Sequence, residues 1–190
     1  MAHVEAPTFG SIILAGALLK LGGAGILRFM YLFDFDLLRY YVCGYSIIFL
    51  SFSTLVCCVQ SDFKRLIAYS SVNHIIALLP LFLINTVSSD YTATLLIVLH
   101  GLSSPLLFFL VGLVYELFST RQLVLLRGLC TVSPLLTLAM TFGFFFNIRA
   151  PPFPSFIPEV LFFAVSVGLS PYFVPSLLFF ALLSIVYNLN

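Results

Sequence analysis

Long apolar runs separated by short polar groups make up most of the chain. Each run approaches the roughly 20 residues that an α-helix needs to cross the hydrocarbon core of a bilayer. Polar and apolar residues do not alternate within the runs, so the pattern predicts helices and not strands. The predicted spans cover residues 9–33, 42–59, 66–86, 92–118, 130–148 together with 159–169, and 172–189, with a short turn at 88–90.

A group of prolines interrupts the fifth run. Four of the eleven residues from Arg149 to Glu159 are Pro, which lacks an amide hydrogen and clashes with a continuing helix. The apolar segment that follows, residues 159–169, has about half the length of a crossing. We therefore predict an all-α transmembrane bundle of about six crossings in a single domain, residues 1–190. We expect the fifth crossing to be broken into two halves, because broken helices occur where irregular backbone lines a polar cavity.

Composition supports a membrane protein and excludes other classes. Apolar residues make up 62% of the 190 residues and charged residues 8%, against roughly 45–50% and about 25% in soluble domains. The net charge of +1, with Lys and Arg scattered along the chain, gives no basic patch for nucleic acid. The first ten residues lack the features of a signal peptide and predict a loop that enters the first helix. Four cysteines are expected to be unpaired thiols packed as small hydrophobic groups: Cys43, Cys57, Cys58 and Cys130.

The loops differ in charge, which predicts an orientation. If the spans alternate in direction, one face carries four basic residues: Lys64, Arg65, Arg121 and Arg127. The opposite face carries three acidic residues and one basic residue: Asp34, Asp36, Asp90 and Arg39. The positive-inside tendency places the basic face in the cytoplasm-equivalent compartment.

Lys20 lies near the middle of the first span, between Leu19 and Leu21. A lysine at that depth costs about 3 kcal/mol on insertion scales. One interpretation is that it snorkels to the interface or pairs with a buried carboxylate without further function. We favour a proton carrier, because a desolvated ammonium can load and release its proton as neighbouring charges change.

Three further ionisable residues fall within predicted helices. His74 and His100 lie about eight residues into the third and fourth spans, among small polar residues that can hold water. Each is open to interpretation as a packing residue, but together with Lys20 they predict a hydrated proton path. Glu159 either caps a helix near the surface or, at mid-membrane, exchanges protons. Metal or haem binding by the histidines is disfavoured, since no third or fourth ligand is evident.

Four segments resemble one known family. They are AHVEAPTFGS from residue 2, LLKLGGAGILR around Lys20, QSDFKRLIAYSSVNH from Gln60 and LHGLSSPLLF from Leu99. In the same order, and over nearly the whole chain, they resemble the antiporter-like subunits 4 of NADH:ubiquinone oxidoreductase, respiratory complex I. HVEAP followed by a buried-lysine helix is more similar to subunit 4 than to its paralogues, which are subunits 2 and 5 and the cation/proton antiporters.

The resemblance implies a role for each ionisable residue. The family's central relay lysine matches Lys20, and its terminal proton-transfer carboxylate matches Glu159. The family's bridging histidines of the hydrated axis match His74 and His100. Lys64 matches a basic residue of the family's DxK loop and joins the proton-relay candidates.

The resemblance also implies a location and partners. We expect a multi-pass subunit of the mitochondrial inner membrane, in contact with lipids and with other complex I membrane subunits in a hetero-oligomer. NADH, FMN, iron–sulfur clusters and ubiquinone are expected in partner subunits, with no cofactor, metal or redox chemistry in this chain. The 22 Phe residues without any Trp also suggest a mitochondrial protein.

Some features depart from the family's pattern. The family has an upstream half with a glutamate and lysine pair, and one further helix at the end, so the resemblance covers only its middle and later part. We expect a split gene or a partial sequence that alone does not form a full proton channel. Pro158 stands where the family usually has Gly, which affects the expected geometry of Glu159.

The sequence therefore predicts a proton-relaying subunit of a redox-driven NADH:ubiquinone reductase. An independent cation/proton antiporter is the alternative, and it would exchange sodium without NADH. A purely structural membrane subunit is a third interpretation, and it would tolerate neutral replacements at the ionisable sites.

Overall fold

The computed structural model describes residues 2–30, 36–84, 86–126 and 128–189, which form a bundle of helices. A short α1 (Ala2–Glu5) precedes α2 (Thr8–Ile13), which continues through a π-helical turn (Leu14–Leu18) into α3 (Leu19–Met30). Three long helices follow: α4 (Asp36–Cys58), α5 (Phe63–Ile84) and α6 (Val87–Phe118). The remaining elements are a 3₁₀ turn (Leu123–Leu126), α7 (Leu129–Val132), α8 (Pro134–Ile148), α9 (Phe156–Leu169), a second 3₁₀ turn (Pro171–Phe173) and α10 (Val174–Leu189).

The apolar helices differ in whether they are long enough to cross a membrane. Within the described residues, five stretches are long and apolar enough: Thr8–Phe29, Tyr41–Cys58, Phe63–Ile84, Val87–Phe118 and Pro171–Asn188. Helices α8 and α9 have only 15 and 14 residues. At 1.5 Å per residue each extends about 20 Å, which is less than the roughly 30 Å of a hydrocarbon core.

Two hydrophobic clusters, one toward each end of the bundle, show how the two short helices are arranged. The first joins the start of α5 and the end of α6 to Met140 of α8. The second joins the end of α5 and the start of α6 to Phe162 of α9. Because α8 and α9 lie against opposite halves of the same two long helices, each covers part of the membrane. The prediction of an all-α bundle with an interrupted fifth crossing is confirmed.

The break between α8 and α9 keeps its backbone hydrogen-bonded. Arg149 has the left-handed conformation, with φ of 63°. Its amide donates to the Phe146 carbonyl at 3.3 Å, and the Ala150 amide donates to the Phe145 carbonyl at 3.1 Å, which is the Schellman arrangement. The Ser155 hydroxyl also donates to the Phe146 carbonyl, at 2.9 Å. Because lipid offers no hydrogen bonds, these contacts permit a break inside the membrane.

Two loops meet at one end of the bundle. The Phe63 amide donates to the Arg121 carbonyl at 2.9 Å, and the Leu123 amide donates to the Ser61 carbonyl at 3.0 Å. The predicted grouping of the basic loops on one face is therefore confirmed for Lys64, Arg65 and Arg121. Outside the described side chains lie Asp34, Asp36, Arg39 and Arg127.

Several predicted boundaries were wrong because polar residues form helix caps and first turns. Residues 88–90, predicted as a turn, belong to α6. The Thr86 hydroxyl accepts a hydrogen bond from the Ser89 amide at 3.2 Å, and the Ser89 hydroxyl accepts one from the Thr86 amide at 2.8 Å. Helices also begin earlier than predicted at Ala2, Thr8, Asp36, Phe63 and Phe156, and the run 130–148 is divided at Ser133.

No disulfide joins the four cysteines, all of which lie in the described residues, as predicted. Cys43 and Cys57 are buried and Cys58 is partly buried. Cys130 is exposed, so the prediction that it packs as a small hydrophobic group was wrong.

Gly112 marks a close approach between α6 and the start of α2. A Cβ atom there would lie 2.9 Å from Cγ2 and 3.3 Å from Cβ of Thr8, whereas one at Gly25 would meet no atom within 4 Å. We expect Gly112→Val to lower the free energy of unfolding by about 1–3 kcal/mol, the usual cost of overpacking. Unfolding of the chain in mixed micelles measures this cost, and Gly25→Val is the matched control. Equal values for the two variants would contradict the packing.

Candidate functional site

The predicted ionisable residues of the first, third and fourth crossings lie far from the helix ends. Lys20 is 12 and 9 residues from the two ends of Thr8–Phe29. His74 is 11 and 10 residues from the ends of α5, and His100 is 13 and 18 from those of α6. At 1.5 Å per residue, each lies about 13 Å or more from a helix end. The three groups therefore lie near mid-membrane.

Lys20 packs against α6. Its ammonium donates to the Ser104 hydroxyl at 3.3 Å and to the Ala15 carbonyl. The side chain packs over Gly101, where a Cβ would lie 3.6 Å from Cε of Lys20, an ordinary van der Waals distance. A π-helical turn immediately precedes Lys20, and such turns are frequent at functional sites. Both acceptors are neutral, so no fixed anion among the described side chains locks the charge of Lys20.

The polar contacts continue from Lys20 to the two histidines. The Ser104 hydroxyl donates to the His100 carbonyl at 2.9 Å, and Lys20 and His100 line the same cavity. The ring centroids of His100 and His74 are 4.7 Å apart, with their planes at 56°. Both imidazoles are buried. The structure therefore brings Lys20, His100 and His74 together in that order.

His74 has a hydrogen-bond partner at each ring nitrogen, and both partners come from the end of α8. Nδ1 lies 2.6 Å from Nη2 of Arg149, and Nε2 lies 3.2 Å from Oδ1 of Asn147. A guanidinium has only donors, so Arg149 donates and Nδ1 accepts. Nε2 must then carry the hydrogen and donate to Asn147. The geometry therefore assigns His74 as a neutral imidazole with its hydrogen on Nε2.

Asn147 extends these hydrogen bonds to α10. Its amide donates to Oδ1 of Asn188 at 3.1 Å, and the Asn188 amide donates to the Ser184 carbonyl at 2.7 Å. Both asparagines are buried. The break in the fifth crossing is therefore tied to α5 on one side and to α10 on the other.

Glu159 lies beyond Arg149. It belongs to the first turn of α9, three residues after the helix begins, and is partly buried. Arg149 and Glu159 line one cavity together with Ser184 of α10. Because Arg149 contacts His74 at mid-depth, Glu159 lies near mid-membrane and does not cap a helix at the surface.

Lys64 lies apart from this cluster. It is in the first turn of α5, ten residues or about 15 Å before His74. Its ammonium donates to the Ala6 carbonyl, and Arg121 donates to the Val4 carbonyl at 3.4 Å. These contacts attach the N-terminal segment to the bundle. The structure does not place Lys64 in the series that joins Lys20 to His74.

Sequence reasoning missed two members of the cluster, Asn147 and Arg149. Both end an apolar run of fewer than 20 residues, a position that usually marks the membrane surface, where polar side chains are ordinary. Their depth follows only from the break that halves this crossing. The available signal was the arginine beside the prolines, since an arginine at mid-membrane is as costly as Lys20.

Comparison with known proteins gives one family match, which covers residues 1–184: NADH:quinone oxidoreductase/Mrp antiporter, TM. NADH-ubiquinone oxidoreductase chain 4 of Lumbricus terrestris is 39% identical over 162 residues, which are 84% of this chain and 36% of that protein. Chain 4 of Paracentrotus lividus is 36% identical over 194 residues, covering 99% of this chain and 41% of that protein. This chain thus spans about two fifths of the length of these relatives.

A solved structure shares the fold. It is the membrane-bound sulfane sulfur reductase (MBS), an archaeal respiratory membrane complex, with a TM-score of 0.90 and 21% identity. The match covers 98% of this chain and 39% of that one. The likeness confirms the arrangement of membrane helices.

We expect spectroscopy to find His74 neutral, with its hydrogen on Nε2, because Arg149 can only donate to Nδ1. Solid-state ¹⁵N NMR of the histidine-labelled chain in lipid bilayers distinguishes protonated from unprotonated ring nitrogens, and His74→Gln assigns the signal. Asn147→Leu removes the acceptor of Nε2 at similar volume and should weaken the preference. A hydrogen found on Nδ1 in the unaltered chain would contradict the assignment.

Proposed function

Because the chain belongs to the NADH:quinone oxidoreductase/Mrp antiporter transmembrane family, we propose that it is a proton-translocating membrane subunit of a respiratory complex. The proposed complex is NADH:ubiquinone oxidoreductase of the mitochondrial inner membrane. Partner subunits would hold the NADH, FMN, iron–sulfur and ubiquinone sites, while this chain moves protons. The observation that carries the proposal is the mid-membrane series that runs from Lys20 through Ser104 to the backbone of His100, with Lys20 and His100 lining one cavity and the His100 ring against that of His74.

The free-energy cost of placing these residues inside the membrane supports a role in transport over a passive role. A lysine or arginine at the centre of a membrane helix costs roughly 2.5–3.5 kcal/mol on insertion scales, and such residues in membranes mark ion or proton pathways. A passive bundle needs neither Lys20 nor a pair of imidazoles. Here the two imidazoles are in contact, and Lys20 lines a cavity with one of them, which packing alone does not require.

In the proposed relay, Lys20 stores the proton. Neutral acceptors bind its ammonium, so a positive charge that appears in an adjacent subunit can drive the proton off. His100 and His74 then pass the proton, because an imidazole can accept and release a proton at its ring nitrogens near physiological pH. The cavity lined by both histidines and Ser103 has room for about one water molecule to bridge them.

Glu159 is the proposed final acceptor. It lines a cavity with Arg149, which contacts His74, so one residue connects the carboxyl group's cavity to the histidine pair. Lys64 takes no part in this relay, since it holds the N-terminal segment about 15 Å away along α5.

We expect Lys20→Gln to reduce proton flux through this subunit by roughly 100-fold, because a group that transfers protons typically contributes 10²–10⁴-fold. Glutamine keeps hydrogen-bonding capacity but has no exchangeable charge. The proton-to-NADH ratio of membrane vesicles that contain the assembled complex measures the effect. Arg65→Gln is the control, since Arg65 is 46% exposed and pairs with Asp62 at 2.9 Å on the surface.

The outcomes separate the three functional interpretations. An assembled Lys20→Gln complex with an unchanged ratio would indicate a structural subunit. Sodium–proton exchange in vesicles without NADH, abolished by Lys20→Gln, would indicate an independent antiporter.

A further inference from the structure

The cluster contains an arginine that the proposed relay does not use. Arg149 is 6% exposed, contacts His74 of α5 and lines a cavity together with Glu159 of α9. Its Nη2 donates to Nδ1 of His74, whereas Nη1 is buried without a hydrogen-bond partner among the described residues. The guanidinium therefore has an unused donor in a region where unsatisfied donors are costly.

The backbone turn does not account for an arginine at this position. Arg149 has φ of 63°, a conformation that usually carries glycine at the end of a helix. A long side chain has no advantage there and is disfavoured sterically. Any role of Arg149 must therefore come from the contacts of its guanidinium and not from the backbone turn.

The guanidinium controls whether His74 can take a second proton. The imidazole already holds a hydrogen on Nε2, so the lone pair of Nδ1 is the only place where it can take a second proton. A proton on Nδ1 would face a cationic donor 2.6 Å away, and the two like charges would repel each other. His74 can therefore become an imidazolium only after the guanidinium has moved.

We propose that Arg149 is a gate, a positioning residue that alternates between Nδ1 of His74 and the carboxylate of Glu159. This inference rests on the proposed function. Glu159 shares a cavity with Arg149, and an ionised carboxylate binds a guanidinium with two strong hydrogen bonds. A protonated Glu159 lacks the charge that holds the guanidinium, so the gate then returns to His74.

The gate imposes an order on proton transfer. When Glu159 is ionised, the guanidinium leaves Nδ1, and the proton of the Lys20 ammonium passes through His100 to Nδ1. This step leaves a neutral amine and an imidazolium. The imidazolium next gives its Nδ1 proton to the Glu159 carboxylate and becomes neutral with the hydrogen still on Nε2, and the guanidinium returns to Nδ1. Glu159 finally releases its proton to water and Lys20 reloads, so one proton has crossed and no continuous path has opened.

Arg149→Asn tests the gate, because asparagine tolerates the left-handed turn while the cation is removed. Vesicles with the assembled complex are expected to keep NADH oxidation but to lose pumping efficiency. Their passive proton flux, driven by an imposed pH gradient without NADH, should rise roughly tenfold. The free energy of one hydrogen bond from a charged group corresponds to about this factor. Arg149→Lys, which restores a cation, should give an intermediate flux, and Arg65→Gln should match the unaltered complex.

The results separate failure of the gate from failure of the proposed function. An Arg149→Asn complex with unchanged proton-to-NADH ratio and passive flux overturns the gate. If Lys20→Gln abolishes pumping in the same assay, the proposed function stands without the gate; if it does not, the proposed function itself fails. Should Arg149→Asn prevent assembly, ¹⁵N NMR of the full chain in bilayers decides. His74 is expected to show both tautomers in that variant, and a spectrum with hydrogen on Nε2 alone overturns the gate.

Discussion

Hydrogen bonding of the backbone within lipid is the constraint on which the rest of the structure depends. A hydrocarbon core offers no partner for an amide or a carbonyl, so each crossing has to satisfy its own backbone as a helix. The fifth crossing departs from this rule between Ile148 and Phe156. The free-energy cost of this break is reduced because the left-handed turn at Arg149 and the hydroxyl of Ser155 provide hydrogen bonds to the carbonyls of Phe145 and Phe146 at the end of α8.

The break also creates the polar centre of the bundle. An unbroken helix would bury its backbone and direct only side chains toward α5. The end of α8 instead places Asn147 and Arg149 at mid-depth, where they bind the two nitrogens of His74. The start of α9 brings Glu159 into a cavity that Arg149 also lines. A local interruption of one helix thus connects the histidine pair to a carboxyl group.

Lys20 and Lys64 show that the same residue type serves two purposes in one bundle. Lys64 lies at a helix start and holds the carbonyl of Ala6, which attaches a neighbouring segment. Lys20 lies in the middle of a crossing and contacts a serine of α6, one turn from His100. Depth and neighbours, and not the ammonium itself, separate the anchor from the proposed proton carrier. The resemblance of the DxK loop alone did not distinguish them.

The sequence by itself determined the crossings and the broken fifth helix, because hydropathy over 20 residues and the missing amide of proline are local properties. It also identified Lys20, His74 and His100 as costly groups inside the membrane. Only the tertiary structure decided that the two imidazoles touch, that Ser104 links Lys20 to the backbone of His100, that Lys64 lies apart, and that Arg149 and Asn147 bind His74. Arg149 is 75 residues from His74 in the chain, so no local pattern encodes their hydrogen bond. The packing of α8 and α9 against opposite halves of α5 and α6 brings them together, and with that packing it sets the hydrogen on Nε2 of His74.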